Sequence, residues 1–338
     1  MPAYALLVRP AANRVFGDDA AALLTSELRI VDRLALGGRL ADVAKDTIAG
    51  IEYVTFTSDT PLDDATATAL ATLSSTYALF ERQDDDLLRP VTATSPDRYD
   101  DDLVTTQRYV GKTNETFTRL LVNVAMAAAG TFGTPARVLD PLCGRGTTLH
   151  HALLLGGDAL GIDLDAKDTQ AYATFFKAWL QEKRIKHQLD ATAGRRRFRV
   201  TIGRKGAAAT DDRQLVDVAT ADTTEAPALF GKSTVDVIAT DLPYGVQHGS
   251  RSGGETSALS RRPGDLLREA LPAWRAVLRP GGGMALSWNA RMLPRADLLG
   301  LADDAGFELV DLGEHVVLAH RVDRTITRDV VIARRPAG

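Results

Sequence analysis

The apolar positions along this chain change period several times, and each change marks an element. Residues 4–9 read as a strand, and residues 18–34 as a helix with Ala21, Leu24, Leu28 and Val31 on one face. Two short runs, 42–48 and 51–57, flank Ala49-Gly50 and predict a hairpin. A helix follows, with Thr60 as its N-cap and Pro61 at its first position, and residues 77–81 close the set as a strand. The order β-α-β-β-α-β is that of a ferredoxin-like unit, so residues 1–82 are expected to form a small α+β N-terminal domain.

From residue 106 the pattern changes to apolar runs alternating with amphipathic helices. The spacing of Phe117, Leu120, Leu121 and Val124 predicts a helix over 113–129. Strands are expected around Val138-Leu139 and over 159–163, 214–219, 235–240 and 284–288. The intervening helices are expected at 147–155, 165–189, 264–278 and 295–305, the third ending at Arg279-Pro-Gly-Gly-Gly283. Segments 308–313 and 329–333 read as a closing antiparallel pair. Such alternation predicts a doubly wound α/β sheet over 106–338. Asp84-Asp-Asp86 and Asp100-Asp-Asp102 bracket Pro90 and Pro96, and residues 83–105 read as an acidic linker.

Two stretches carry candidate chemistry. In Arg137-Val-Leu-Asp-Pro-Leu-Cys-Gly-Arg-Gly-Thr-Thr148 a strand ends in Asp140 and turns through Gly144 and Gly146 into a helix at Thr147. Glycines let the backbone approach a ligand, and helix N-termini favour anionic or polar ligand groups. The next strand ends in Asp163, where doubly wound folds place a carboxylate on ribose hydroxyls. An adenosine-bearing cofactor is therefore expected. Dinucleotide sites carry a third glycine where this chain has Leu149, and Asp-x-x-x-Gly-x-Gly suits S-adenosylmethionine better. Cys143 reads as a small residue of this loop or as a reactive thiol.

In the second stretch, the run 235–240 delivers Asp241-Leu-Pro-Tyr244 to the carboxyl edge of the sheet, where open α/β folds bind ligands. The lone pair of an exocyclic base amine is spread into the ring, and an enzyme that methylates it must localise that pair. Asp241 can accept one N–H and the Leu242 carbonyl another; Pro243 biases Leu242 toward an extended conformation, and Tyr244 offers a ring for stacking an extruded base. A plain strand-to-turn tetrapeptide is the alternative.

Together with Tyr109-Val-Gly-Lys-Thr-Asn-Glu115, these segments resemble the S-adenosylmethionine-dependent tRNA guanine-N2 methyltransferases, the group that includes the THUMP-containing enzymes. The likeness spans about residues 105–338. It implies a Rossmann-like class I methyltransferase sheet, S-adenosylmethionine as donor and a guanine amine of structured RNA, tRNA above all, as acceptor. It also implies an acid, Asp222 with Thr223 beside it, at the adenine amine, and Thr113 or Asn114 against the methionine part of the cofactor. A helix cap is the other reading for Asp222, as it is for Thr113 and Asn114. Many members read Asp-Pro-Pro-Tyr where this chain has Leu242, and the chain before residue 105 is short for a full THUMP domain. Alternatives are a DNA adenine-N6 or cytosine-N4 methyltransferase, a protein-glutamine methyltransferase, disfavoured by Asp241 in place of Asn, or a cofactor-binding RNA-interaction protein without turnover.

Net charge is −4 and the pI about 5.9, so any RNA contact must use a local patch. Lys183, Arg184, Lys186, Arg195, Arg196, Arg197, Arg199, Arg204 and Lys205 crowd into residues 180–212, a basic insertion that reads as a phosphate-contacting patch or as a solvated charged surface. The loop at 247–254, with His248 and Arg251, reads as a closing segment or a tip without a role. The six histidines show no metal-ligand spacing, and no apolar run approaches 18 residues, so neither metal nor membrane is expected and the location is expected to be cytoplasmic. Gly111-Lys-Thr113 and Gly231-Lys-Ser233 lack the first glycine of a phosphate loop. Oligomeric state is left open.

Overall fold

The structure is a computed structural model and describes residues 1–10, 14–83, 87–95, 97–191, 193–194, 196–203, 212–243 and 263–338. The first unit comprises β1 (Ala3–Val8), α1 (Arg14–Val31), a π-helical turn (Asp32–Leu36), β2 (Leu40–Ile48), β3 (Ile51–Ser58), α2 (Asp64–Ala71) and β4 (Thr76–Arg82). Its strands run β2-β3-β1-β4, all antiparallel, the ferredoxin-like order, and β5 (Leu88–Pro90) extends the sheet beside β4. The hairpin turns through Ala49 and Gly50, both at positive φ. Helix α2 begins later than Thr60-Pro61 predicts: Asp63 is the cap, its carboxylate accepting from the Thr66 N–H at 2.7 Å.

Described residues of the segment 83–105 contact the second unit. After β5 the segment forms the short helix α3 (Asp102–Thr105), and Trp179 Nε1 donates to Asp102 at 2.9 Å. The Tyr99 hydroxyl reaches Gln214 at 2.6 Å.

The second unit starts with α4 (Glu115–Ala128), capped by Asn114, whose side chain accepts from the Phe117 N–H. Then come β6 (Arg137–Asp140), α5 (Thr147–Leu154), β7 (Asp158–Asp163), α6 (Ala166–Glu182), β8 (His187–Leu189), β9 (Arg197–Ile202) and β10 (Gln214–Thr220). A 3-10 turn (Thr223–Glu225) leads to α7 (Ala226–Phe230), β11 (Val235–Asp241), α8 (Pro263–Val277), β12 (Leu278–Asn289), α9 (Arg295–Asp304), β13 (Glu308–Leu309), β14 (His320–Arg321) and β15 (Thr327–Arg334). The sheet order is β13-β15-β12-β11-β6-β7-β10-β9-β8, with β14 on β15. Its five central strands, β12-β11-β6-β7-β10, are parallel, so strand order reverses between β6 and β11. That reversal opens the crevice in which Rossmann-like sheets bind ligands.

Two elements differ from the sequence pattern. Helix α6 stops at Glu182 instead of continuing to residue 189: Arg184 takes φ 53° and turns the chain into β8, which pairs with β9. Strand β12 begins at Leu278, so the expected helix-stop run Arg279-Pro-Gly-Gly-Gly283 enters the sheet with a register shift against β11. Gly283 is needed there, because a Cβ would lie 2.4 Å from the Ala125 carbonyl oxygen of α4.

Side chains alternate across the sheet. Val138, Val237 and Ala285 face α4, in a core continuous with Leu24 and Leu28 of α1; Leu139, Ile238 and Leu286 face Trp274 of α8. One apolar core therefore joins the N-terminal unit to one face of the large sheet. Polar bonds cross the same seam: Glu27 of α1, wholly buried, accepts from Asn123 Nδ2 of α4 at 2.7 Å and from the Ser74 N–H and hydroxyl. Among the described residues, no helix is long and apolar enough to cross a membrane.

Candidate active site

At the reversal point, β6 and β11 run side by side and end in Asp140 and Asp241. Thr240 bridges the pair, its hydroxyl donating to Asp140 Oδ1 at 2.7 Å, and the Leu142 N–H caps the same oxygen at 3.1 Å. Burial pushes the Asp140 carboxyl up to about 6, against the bonds from Thr240 and Thr148 that favour its charged form. Asp140 thus anchors the turn that follows.

The turn runs through Gly144 (φ 48°) and Gly146 (φ 83°). A Cβ on Gly146 would stand 2.3 Å from the Tyr172 ring, so the helix start at Thr147 packs directly on that ring. The Cys143 thiol is buried beside Gly161; burial, then the charges of Asp163 and Asp140, push it well above the ordinary thiol range, which favours the neutral thiol. Asp163, at the end of β7, accepts the Gly144 N–H on Oδ2 and the Asp165 N–H on Oδ1, both at 2.8 Å, and so fixes turn and strand end together. Burial raises the Asp163 carboxyl, while those two bonds oppose the shift. Thr147 meets the Tyr109 hydroxyl at 3.3 Å, and the Arg145 guanidinium lies 4.8 Å from the Tyr109 ring centre while pairing with Asp168 at 2.8 Å.

Asp241 is held from both sides. The Thr113 hydroxyl donates to its Oδ2 at 2.8 Å, and Arg328 of β15 donates to the same oxygen at 3.0 Å. The Arg328 guanidinium is buried against the Phe117 ring at 4.6 Å, and burial holds it below the ordinary arginine range although Asp241 opposes that shift. Leu242 continues the strand: its N–H donates to the Ser287 carbonyl at 2.8 Å and its side chain is buried in the α8 core. Nothing local in the sequence singles out Arg328; its bond to Asp241 comes from tertiary structure. Thr113, expected at the cofactor or as a cap, donates its hydroxyl to Asp241 within the cleft, and Asn114 takes the cap.

Asp222 caps the 3-10 turn, accepting from the Thr224 N–H at 3.0 Å and the Thr224 hydroxyl at 2.7 Å, and the Thr223 hydroxyl receives the Trp274 indole N–H at 2.8 Å. A single cleft of about 1550 Å3 nonetheless brings Asp140, Cys143, Gly144, Thr147 and Asp163 together with Thr113, Asn114, Asp222, Thr223, Asp241, Leu242 and Pro243. One small ligand needs about 300–1,000 Å3, so this cleft has room for a nucleoside cofactor and a second ligand. Gly146 lies behind its wall. Tyr244, His248 and Arg251 lie outside the described residues, as do Arg195, Arg204 and Lys205.

Three of the six described cations of the basic insertion pair with carboxylates of the protein itself. Lys183 binds Asp100 at 2.8 Å and also Asp102, while Arg197 and Arg199 both clasp Asp217, a buried carboxylate, at 2.7 and 2.6 Å. Asp217, a buried anion, demands such partners, which removes Arg197 and Arg199 from any phosphate, whereas Lys183 is held at the surface by Asp100 and Asp102. Arg184, Lys186 and Arg196 remain exposed. Among the described residues, no group of His, Cys, Asp or Glu is arranged to hold a metal; His150 and His151 are buried instead, His150 stacking on Tyr172 with ring centres 5.4 Å apart.

The turn, the carboxylates Asp163 and Asp222 and the volume of the cleft fit S-adenosylmethionine. Among solved structures, TrmN from Thermus thermophilus is 16% identical, with 99% of this chain and 100% of that one covered and a TM-score of 0.47. Magnesium protoporphyrin IX methyltransferase from Synechocystis, solved with bound S-adenosylmethionine, is 14% identical over 67% of this chain and 86% of that one, with a TM-score of 0.40. The 1,6-didemethyltoxoflavin-N1-methyltransferase of Burkholderia thailandensis, solved with S-adenosylhomocysteine, is 18% identical over 66% and 80%, with a TM-score of 0.39. No curated protein matches the chain in sequence. Residues 106–287, more than half of the chain, match the family described as UPF0020, RMKL-like, methyltransferase domain. The chain belongs to that family and is a methyltransferase whose cofactor is S-adenosylmethionine.

Proposed function

We propose that this enzyme methylates the exocyclic N2 amine of guanine in structured RNA, with tRNA as the substrate class. The observation that carries the reading is the placement of Asp241: a carboxylate at the end of β11, in the same cleft as the glycine turn, with Oδ2 held by Thr113 and Arg328. When bound, S-adenosylmethionine supplies an electrophilic methyl group on a sulfonium.

The protein supplies position. Asp241 accepts one N–H of the amine and the Leu242 carbonyl accepts the second, which takes the nitrogen lone pair out of conjugation with the ring and aims it at the methyl, the cofactor leaving as its neutral thioether. Pro243 biases Leu242 toward an extended conformation, which helps to aim its carbonyl outward. Tyr244 stacks the extruded base, a contact worth about 1–3 kcal/mol. On the cofactor side, Asp163 would take the ribose hydroxyls, Asp222 and Thr223 the adenine edge, and Asp140, Cys143, Gly144 and Thr147 would line the methionine side with Asn114, Gly146 shaping the turn behind them. After transfer the amine is cationic and its proton leaves to water or to Asp241.

The division into residues 1–82, 83–105 and 106–338 belongs to the same proposal, with the N-terminal domain orienting the RNA. The test is labelled methyl transfer into separate pools of tRNA, rRNA, DNA and protein, followed by nucleoside analysis. N2-methylguanosine in tRNA is the expected product; label in DNA or protein alone rejects the proposal.

A further inference from the structure

A second concavity, about 660 Å3, lies beside the cofactor cleft and shares Arg108, Tyr109 and Arg145 with it. Its far side is built by α6, from which Lys167, Gln170 and Phe175 face it. The two hollows differ sharply in charge. Ten carboxylates line the cleft, whereas none lines the groove. Of the six cations lining the cleft, all but Arg108 pair with a carboxylate: Arg9, Lys112, Arg119, Arg145 and Arg328 are each so bound. Arg108 and Lys167 are exposed and, among the described residues, pair with no carboxylate.

The wall between the two hollows is fixed. Tyr109 is tied through its hydroxyl to Thr147, and its ring carries the Arg145 guanidinium, itself tied to Asp168. The groove thus offers free cations, amide side chains and two aromatic rings directly outside the site where a base is to be methylated. These are the groups that hold single-stranded nucleic acid: cations for phosphates, rings for bases.

We infer that this groove holds the RNA strand flanking the target nucleotide, with phosphates on Arg108 and Lys167 and the strand passing over the Tyr109–Arg145 wall into the cleft. The inference rests on the RNA reading above. It also moves the phosphate contacts away from the 180–212 region, where Lys183, Arg197 and Arg199 are consumed by Asp100, Asp102 and Asp217.

The test compares full-length wild type with Arg108→Glu/Lys167→Glu and, as a control of equal charge change, Lys186→Glu/Arg196→Glu. Binding of a tRNA transcript is followed by fluorescence anisotropy across salt concentrations, with melting temperature and S-adenosylmethionine affinity checking the fold. The groove variant is expected to bind about tenfold or more weakly at low salt, with a salt slope smaller by about two, while the control stays within about twofold. KM for RNA should rise with kcat retained. Equal losses in both variants, or none in the groove variant, overturn the inference. If the wild type binds tRNA and the groove variant does not, but no methyl reaches RNA, the groove stands and the guanine reading falls. A wild type that binds no RNA overturns both.

Discussion

Arg328 and Asp241 meet at 3.0 Å although 87 residues separate them, and the cation is as buried as the core around it. Two strand pairings produce the contact. Asp241 of β11 lies opposite Ser287 of β12, and β12 in turn pairs with β15, which places Arg328 opposite Asn289. A buried guanidinium on a strand is costly unless it is paired, so the pairing itself fixes where the Asp241 carboxylate points.

Arg328 is therefore a positioning residue. Arg328→Gln should lower kcat by about 10- to 100-fold, from the loss of one charge-assisted hydrogen bond worth about 1.5–3 kcal/mol, with S-adenosylmethionine affinity changed less than about threefold. Arg328→Lys should recover part of kcat. A purely structural role would instead lower the melting temperature of both variants together with cofactor affinity.

Gly146→Ala combines a φ of 83° with a Cβ 2.3 Å from the Tyr172 ring. Left-handed backbone on a non-glycine residue costs about 1–3 kcal/mol before the ring is displaced. Denaturant unfolding should show at least that loss, and calorimetry should show weakened cofactor binding, because Thr147 moves with the turn.

Much of this site was legible in the sequence for local reasons. The strand-turn-helix around Asp140, Gly144 and Gly146 and the strand ending at Asp241 are encoded within a dozen residues each, and the structure forms both. Contacts made across the sheet were not legible. Thr113 reads equally as a cap until α4 is seen to start beside β11, and Arg328 is one arginine among several until β15 is paired. Lys183, Arg197 and Arg199 read as part of a surface patch because their partners Asp100, Asp102 and Asp217 are distant in sequence or face inward. Thr60 lost the cap of α2 to Asp63, since threonine and aspartate are both good N-caps until the first turn is built.

That reassignment of the basic region has its own consequence. Replacing Arg197 and Arg199 together by Gln leaves Asp217 buried without a cation, and breaking a buried pair costs about 3–5 kcal/mol. Chemical denaturation should show a loss of that order, whereas a phosphate-binding pair would give weaker RNA binding with unchanged stability.

Acid stability should be limited by two histidines. Burial pulls His150 down to about 3 and His151 well below the ordinary imidazole range, so both are neutral in the folded protein. Below pH about 6.5 the unfolded chain takes up protons that the folded one refuses, and stability falls as pH drops, by at most about 1.4 kcal/mol per pH unit per residue. Asp140, raised to about 6, acts in the opposite direction between pH 4 and 6, because its folded form holds the proton more tightly. His150→Phe, which keeps the stack on Tyr172, should flatten the acid side of the unfolding free energy measured from pH 7 to pH 5.

The central claim is that Asp241 binds the amine and has no part in holding the cofactor. It is tested most directly by single-turnover methyl transfer to tRNA with Asp241→Ala, alongside calorimetric titration of S-adenosylmethionine. The account predicts loss of N2-methylguanosine formation by about 100-fold or more with cofactor affinity within about threefold of wild type. Retained transfer, or loss of cofactor binding in proportion to activity, would contradict it.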